Sequence, residues 1–266
     1  MTDRSESIES MEQLAAAWRT VVHDRDPRAD VRDLPGIAVR WADSRFAFWN
    51  CITLTEDGAD PGLLRRRLGE AADIMRAKRR PGFLWLFAGL LGGGARAQLS
   101  AAAQQAGLTR AMSGTGMAGD LLPVPDPRHP DLEFHRVATE DQVRAFADLN
   151  SRAYGFALED GRDGLLGAPL WTGRAHAYLG LRDGVPVTCA AALETEGRLF
   201  VLLVATDPDW QRRGYAEAVT RKVLHEGARG AGLARATLHA TAAGAPVYRR
   251  IGFAPNSPLH FYGLKG

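Results

Sequence analysis

One segment, Val204–Ala216, constrains the fold of this chain more than any other: V-A-T-D-P-D-W-Q-R-R-G-Y-A. The apolar run Leu199–Val204 leads through a polar turn into a helical pattern, and such a helix leaves its first-turn N–H groups unpaired in a region of partial positive charge. Gly214 lacks a Cβ and lets a ligand approach the main chain, while Arg212 and Arg213 carry charges that suit phosphate geometry. This order of strand, loop and helix therefore predicts a site for a phosphate or, more specifically, a pyrophosphate.

A capped and solvated turn is the alternative that these residues alone leave open. Two other phosphate-binding loops are excluded, because the sequence has neither G-x-x-x-x-G-K-[ST] nor G-x-G-x-x-G after a strand. His135, His176 and His225 are scattered, and neither H-x-x-x-H nor C-x-x-C spacing occurs. No metal site is therefore predicted.

Two motifs in the second half of the chain resemble those of the GNAT family of N-acetyltransferases. Gln211–Ala216, Q-R-R-G-Y-A, is similar to the family signature Q/R-x-x-G-x-G/A, and Pro208 lies six residues before the glycine, where that family often has a proline. Downstream, Ala245–Phe253, A-P-V-Y-R-R-I-G-F, resembles the later Y-x-x-x-G-F element. The resemblance covers residues 132–266.

The resemblance implies an α/β fold, with a mixed, mostly antiparallel GNAT-type sheet flanked by helices, and acetyl-CoA as co-substrate. It also implies which residues bind that cofactor, through the pantetheine arm and the pyrophosphate: Val204, Ala205, Thr206, Gln211, Arg212, Arg213, Gly214, Tyr215 and Ala216. Tyr248 takes the place of the family tyrosine that donates a proton to the departing thiolate. Its spacing alone also fits a packing tyrosine beside Val247 and Ile251.

The activity that follows is acetyl transfer to a primary amine, with a small-molecule acceptor as the preferred partner. The general base is not identified: Glu194, Glu196 and His239 are candidates, and an ordered water is the alternative. Ala216 replaces the second glycine of the signature, and Thr241 stands where many members have Asn. A non-catalytic sensor or scaffold that binds acyl-CoA is the rival function, because Phe200–Val204 holds no carboxylate.

The first half repeats the order of elements of the second half without its motif. We interpret residues 1–120 as a degenerate GNAT-like domain, residues 121–131 as a proline-rich linker and residues 132–266 as the catalytic domain. An unrelated α/β cap is the alternative for the first half. Asp57 and Asp60 precede the predicted Pro61–Arg79 helix, and a negative helix entrance repels phosphate, so we expect no cofactor there.

The remaining expected elements follow from apolar periodicity and turn residues. In the first half, we expect a helix at Met11–Val22, a loop at Asp24–Asp33, strands at Ile37–Trp41, Phe46–Thr55, Phe83–Phe87 and Thr109–Met117, a flexible break at Gly92–Gly94 and a helix at Ala95–Ala106. In the second half, Thr139 and Gln142 match a helix capping box, and His260–Leu264 is expected to close the second domain.

Composition and net charge favour some classes of partner less than others. The 266 residues are 45% apolar and 24% charged, as in a globular protein, and the net charge of +2 favours neither a nucleic-acid nor a membrane partner. The longest apolar run, Phe83–Leu91, is shorter than the roughly 20 residues that cross a bilayer. An acceptor amine on a macromolecule, such as a tRNA-linked amine or a protein N-terminus, is disfavoured by the same charge.

Two cysteines, Cys51 and Cys189, lie in apolar runs and are expected to be thiols in strand cores, with a disulfide as the alternative. Met1–Glu12 lacks the apolar region of a signal peptide. Together these features predict a cytoplasmic protein. A monomer and a homodimer both remain open.

Overall fold

The computed structural model describes residues 4–120 and 124–266, which divide into two compact units. The first unit comprises Met1–Met117, His239–Ala243 and Pro255–Gly266, and the second comprises Ala118–Leu238 and Gly244–Ala254. Each unit combines helices with a mixed, mostly antiparallel sheet, so the predicted α/β fold class is confirmed. Residues 121–123 of the predicted linker lie outside the described residues.

The N-terminal part of the chain alternates short strands with three helices that we label in chain order. They are α1 (Arg4–Arg25), β1 (Asp30–Leu34), β2 (Ile37–Trp41), β3 (Asn50–Leu54), α2 (Pro61–Arg76), β4 (Phe83–Phe87), α3 (Gly93–Gln105) and β5 (Leu108–Asp120). Strands β1, β2 and β3 pair in antiparallel fashion, and β3 pairs in parallel with β4. Leu64 and Leu68 of α2 are fully buried against this sheet, together with Ile52 and Leu84.

The helix expected at Met11–Val22 is confirmed and is longer, since α1 begins at Arg4. Other local expectations in this part were wrong: β1 lies within the predicted Asp24–Asp33 loop, and residues Ala47–Trp49 of the expected Phe46–Thr55 strand form a 3-10 helix. Strand β1 is largely polar, and among the described strands it pairs only with β2. Since little of it is buried, its sequence lacks the alternation of apolar and polar residues that predicts a strand. Arg32 and Asp30 form an ion pair of 2.6 Å along it. Gly93 and Gly94 form the first turn of α3 instead of a flexible break.

The C-terminal strand belongs to the first unit. Strand β11 (Ala254–Leu264) pairs in antiparallel fashion with β4, with Leu259 opposite Phe87 and Tyr262 opposite Leu84. Leu259 is 0% exposed, and Tyr262 joins the core of α2 and α3. The expected closing strand His260–Leu264 therefore does not complete the second domain, and the range 132–266 does not hold at its C-terminal end. Nothing in the sequence near β11 identifies a partner so distant along the chain.

We expect residues 1–120, expressed alone, not to form a stable unit. Without β11 the edge of β4 is unpaired and the apolar surface that Leu259 and Tyr262 cover is exposed to water. Circular dichroism and the dispersion of amide resonances check this expectation. The matched control joins residues 254–266 to residue 120 through a flexible linker, and it should fold. Cooperative unfolding of residues 1–120 without that strand would contradict the prediction.

The rest of the chain supplies the elements of the second unit, except that β10 enters the first unit at His239. They are β6 (Glu133–Arg136), α4 (Glu140–Tyr154), α5 (Leu158–Leu165), β7 (His176–Arg182), β8 (Val185–Thr195), β9 (Arg198–Thr206), α6 (Tyr215–Ala231), β10 (Arg235–Thr241) and α7 (Ala245–Ile251). Strands β6 to β9 are successively antiparallel, and β10 runs parallel to β9. The predicted capping box is confirmed, because Thr139 Oγ1 accepts from the N–H of Gln142 and the Gln142 side chain accepts from the N–H of Thr139.

Cys51 and Cys189 are both free and buried, so the prediction of strand-core thiols is confirmed. Burial raises the pKa of the Cys51 thiol to about 12 and that of Cys189 further, which keeps both uncharged. Within the two described ranges, none of the helices combines the length and the apolar character that crossing a bilayer requires.

Candidate functional site

Strand β9 carries a bulge where it approaches the predicted anion site. Cys189 of β8 pairs with Ala205 and Ala191 pairs with Leu202, so Leu203 and Val204 together face the single residue Ala190. Leu203 adopts a left-handed conformation, with φ at 52°, which is unusual for a residue with a branched side chain. A bulge of this kind breaks the regular ladder and redirects the main chain after it.

The bulge coincides with the end of pairing on the opposite edge of β9. In the part of the chain that the structure describes, β10 pairs with β9 only along Leu199–Val201. Leu202–Thr206 therefore present main-chain groups on that edge that no strand of the second unit uses. These residues include Val204, Ala205 and Thr206, which the family resemblance implies as contacts of the pantetheine arm.

The loop between β9 and α6 contains two residues with left-handed backbone angles. Gln211 is extended, Arg212 has φ at 62° and Gly214 has φ at 82°. Successive N–H groups in such a loop converge into a concave site for an anion. A Cβ on Gly214 would lie 3.6 Å from His129 Nε2, which is an ordinary van der Waals distance. A side chain would therefore fit here, and glycine is favoured because of the positive φ angle.

Helix α6 begins without a side-chain cap. Gly214 is its N-cap residue, and the first intrahelical bond runs from the N–H of Ala218 to the carbonyl of Gly214 at 3.0 Å. The N–H groups of Tyr215, Ala216 and Glu217 consequently have no acceptor within the helix. An uncapped N-terminus preceded by two left-handed residues favours an anionic ligand.

The side chains of this loop divide into exposed cations and packed neighbours. Arg212 and Arg213 are exposed, and the Arg213 guanidinium lies 4.7 Å from the centre of the Trp210 ring. Gln211 Nε2 donates to the carbonyl of Thr206 at 3.4 Å, which ties the loop to the end of β9. Tyr215 is only 1% exposed, so its side chain packs in the core and only its main-chain N–H faces the loop.

His129 is a neighbour of this loop that the sequence did not reveal. Its Nε2 lies 3.2 Å from the carbonyl oxygen of Arg213, and its ring centre lies 5.1 Å from that of Tyr215. His129 belongs to the segment interpreted as a linker, more than eighty positions before the loop. No local pattern could have joined the two, because the contact depends on the path of the whole unit.

Tyr248 lies on α7 and is 8% exposed. Burial raises the pKa of its phenol well above the ordinary value, with Tyr154 as the second contribution, so the hydroxyl stays protonated at neutral and mildly alkaline pH. Its hydroxyl makes no hydrogen bond to any residue in the ranges 4–120 and 124–266. The proton of this phenol is therefore available to an acceptor outside the chain.

The three candidate bases have other roles in the structure. Glu194 is exposed and lies 3.4 Å from His176, and Glu196 occupies the β8–β9 turn with φ at 45°. His239 belongs to the first unit, where its Nε2 lies 3.2 Å from Ser10 Oγ and 3.3 Å from the Ser10 carbonyl oxygen. Burial lowers the pKa of His239 to about 3, which makes its ring a weak base.

A His239→Gln variant should lose less stability on acidification than the parent protein. Burial lowers the pKa of His239 from 6.5 to about 3, so the native state binds this proton more weakly than the unfolded chain does. Stability contributed by the neutral ring is present above about pH 6.5 and declines below it, by about 2 kcal/mol between pH 7 and pH 5. Urea denaturation of both proteins at the two pH values measures the difference. An equal loss in both would contradict the assignment of a buried neutral ring.

The corresponding helix entrance of the first unit is built differently. Asp60 caps α2 by accepting from the N–H of Leu63 at 2.8 Å, and this hydrogen bond lowers the pKa of Asp60, which is therefore charged. The main chain before the helix is also paired, because Gly58 N–H donates to Leu90 at 2.8 Å and Gly92 N–H donates to Ala59 at 3.3 Å. A negative cap and a closed main chain both disfavour phosphate.

One cluster of potential metal ligands occurs within the described residues: Asp126, His225 and Glu226. Lys222 Nζ lies 3.0 Å from Asp126 and 2.8 Å from Glu226. The ammonium group pairs with both carboxylates, and Arg229 pairs with Glu226 at 3.0 Å, so these side chains already form an ion-pair network with one another.

Comparison with known proteins agrees with this geometry. Residues 173–255 match the family model described as the acetyltransferase (GNAT) domain, a range that runs from β7 to the start of β11. It contains the bulge, the loop and Tyr248. No curated protein sequence matches the chain.

Solved structures resemble the chain over most of its length. A GCN5-related N-acetyltransferase from Kribbella flavida has a TM-score of 0.70 and 20% identity, over 96% of this chain and 97% of that one. A GCN5-related N-acetyltransferase from Sphaerobacter thermophilus has a TM-score of 0.60 and 17% identity, over 86% and 76%. A tandem GNAT protein from the clavulanic acid biosynthesis pathway has a TM-score of 0.57 and 15% identity, over 98% and 94%. These identities establish the fold, and the likeness to a tandem protein is consistent with a GNAT-like first half.

Proposed function

We propose that this chain, whose residues 173–255 match the family model of the acetyltransferase (GNAT) domain, moves an acetyl group from acetyl-CoA to a primary amine of a small molecule. The observation that carries the proposal is the uncapped N-terminus of α6, which follows the bulged β9 through a loop with two exposed arginines. The ligand that suits such a site has a pyrophosphate, which the helix N-terminus would bind, and an arm with amide groups, which the edge of β9 would bind.

The loop would hold the pyrophosphate of acetyl-CoA. The N–H groups of Gly214, Tyr215 and Ala216 would bind its oxygens, and the guanidinium groups of Arg212 and Arg213 would add charge-assisted hydrogen bonds. Gln211 contributes by fixing the loop to Thr206. The main chain of Val204, Ala205 and Thr206 would pair with the pantetheine arm and bring an N–H group to the thioester carbonyl.

The chemistry is a direct attack on the bound thioester. The amine nitrogen forms a bond to the carbonyl carbon, the carbon–sulfur bond breaks, and the sulfur takes the proton of the Tyr248 hydroxyl. The amine loses one proton to water, and water then reprotonates Tyr248. We assign no side chain as base, since Glu194, Glu196 and His239 each have another role. Holding the amine near the carbonyl supplies much of the acceleration.

The first unit would not bind the cofactor, because Asp60 caps α2 and the main chain before that helix is paired. We propose that it is a degenerate relative of the catalytic unit. We further propose a cytoplasmic location, since both thiols are free, and a monomer or a homodimer as the working form.

A binding protein without turnover is the second candidate. One observation favours it: the segment Phe200–Val204 of β9 carries no carboxylate that could act as a base. The available proton of Tyr248 argues for the enzyme.

Two measurements test the proposal. One is the release of free thiol from acetyl-CoA in the presence of a panel of primary amines, and the other is calorimetry of CoA binding. Amine-dependent release and CoA binding support the enzyme. CoA binding with no release for any amine supports the binding protein, and the absence of CoA binding removes both.

A further inference from the structure

One face of α4 lies along the bulge of β9. Phe146, Asn150 and Tyr154 are spaced four residues apart and so share that face. Asn150 Nδ2 donates to Cys189 Sγ at 3.3 Å, and the one proton of the Cys189 thiol is shared between the carbonyls of Leu203 at 3.8 Å and Phe146 at 3.9 Å. The Tyr154 hydroxyl donates to the carbonyl of Val204 at 2.8 Å. The stronger of the side-chain contacts to the bulge is therefore the one that Tyr154 makes.

These bonds matter because the bulge cannot satisfy its own main chain. Leu203 and Val204 lie outside the β8–β9 register, and Leu203 is held at φ 52°. A non-glycine residue in this region is strained and persists only where its surroundings determine it. Of the two carbonyls, that of Val204 is the one that a single substitution can release, because the hydroxyl of Tyr154 donates to it directly at 2.8 Å.

Tyr154 is placed at the end of a helix to act on the strand. It is the last residue of α4, and Gly155 ends the helix with φ at 74°. Part of Tyr154, 39%, is exposed, while burial around its hydroxyl raises the pKa to about 12, so it remains a neutral donor to the Val204 carbonyl.

We propose that Tyr154 is a positioning residue for acyl transfer, whose hydroxyl fixes the Val204 carbonyl and thereby aims the following main chain at the thioester. The inference rests on the proposed function. An N–H group stabilises a developing oxyanion only if its direction is set before the reaction, so a looser bulge weakens transition-state binding more than ground-state binding.

A Tyr154→Phe variant tests the inference by kinetics and by hydrogen exchange. We expect kcat to fall about tenfold with KM for acetyl-CoA within about twofold, because the lost contact acts on orientation. We also expect the amides of residues 203–206 to exchange about tenfold faster in the protein without ligand, because a local opening then costs less. Tyr178→Phe is the matched control, since Tyr178 is a buried tyrosine on β7 of the same unit.

The outcomes separate this inference from the function on which it rests. A fall in kcat without a change in KM, with faster exchange confined to the bulge, supports it. Unchanged kcat in an active protein, or unchanged exchange of the bulge, overturns it. If the parent protein turns over no amine but the exchange still responds to Tyr154→Phe, the proposed function has failed and the role in catalysis falls with it, while the control over the strand stands.

Discussion

The Arg212→Glu, Arg213→Glu double variant is expected to bind CoA at least about a hundredfold more weakly than the parent protein. Each arginine would form charge-assisted hydrogen bonds of about 1.5–3 kcal/mol with the pyrophosphate, and each introduced carboxylate repels it. Both side chains are exposed and neither ion-pairs with another described residue, so their replacement leaves no buried charge behind. Isothermal titration calorimetry at fixed ionic strength measures the change.

The first unit offers a control with the same change of net charge. Arg65 and Arg66 are exposed neighbours in the early part of α2, and Arg65 donates to Gln98 at 2.9 Å. The Arg65→Glu, Arg66→Glu variant should retain the parent affinity within about twofold, because its helix entrance is closed to phosphate and exposed charges are screened beyond about 10 Å. Equal weakening in both double variants would mean that the overall field, and not the loop at α6, attracts the ligand. Unchanged affinity in the Arg212 and Arg213 variant would remove the phosphate site altogether.

The parts of the molecule that sequence could predict are those whose cause is local. The capping box of Thr139 and Gln142 depends on residues three positions apart. Apolar periodicity located α2 and α4 for the same reason. The order of β9, loop and α6 follows from one contiguous segment, so its fold was accessible without any structure.

The parts that escaped prediction depend on contacts between distant segments. Strand β1 is polar because only one edge is paired and little of it is buried, so the usual alternation is missing. Strand β11 is recognisable as a strand, but its pairing with β4 is decided by packing across more than 160 positions. His129 and Tyr154 lie at the site through tertiary contacts, and neither belongs to a motif.

The bulge shows the limit most clearly. Its residues, Leu203 and Val204, are apolar and β-compatible, and nothing in their order requires a positive φ. The strain is sustained by Cys189 of β8 and Tyr154 of α4, which supply donors to the two carbonyl groups. A splayed strand could therefore be expected here only from the family resemblance, since the residues that sustain it lie elsewhere in the chain.

Replacing Tyr248 with Phe is expected to lower kcat by about a hundredfold or more while the dissociation constant for CoA stays within about twofold. A positioned general acid contributes about 10²–10⁴ to the rate, and the ring itself is retained for packing against Phe253. Since the hydroxyl makes no hydrogen bond to the described residues, its removal leaves no orphaned partner, and the melting temperature should remain close to that of the parent. Stopped-flow or steady-state thiol release gives kcat, and calorimetry gives the affinity.

The pH dependence and a second variant determine what such a loss would mean. Because burial raises the pKa of Tyr248 above its ordinary value, the acid keeps its proton as pH rises from 7 to 9, and kcat of the parent should not fall over that range through this group. Tyr178→Phe, which removes a buried hydroxyl from β7 of the same unit, should retain the parent kcat. If Tyr248→Phe keeps full kcat, the tyrosine only packs against its neighbours, such as Phe253, and the proton of the thiolate comes from water. If kcat and CoA affinity fall together, the variant has disturbed the binding site, and the role as acid is not supported.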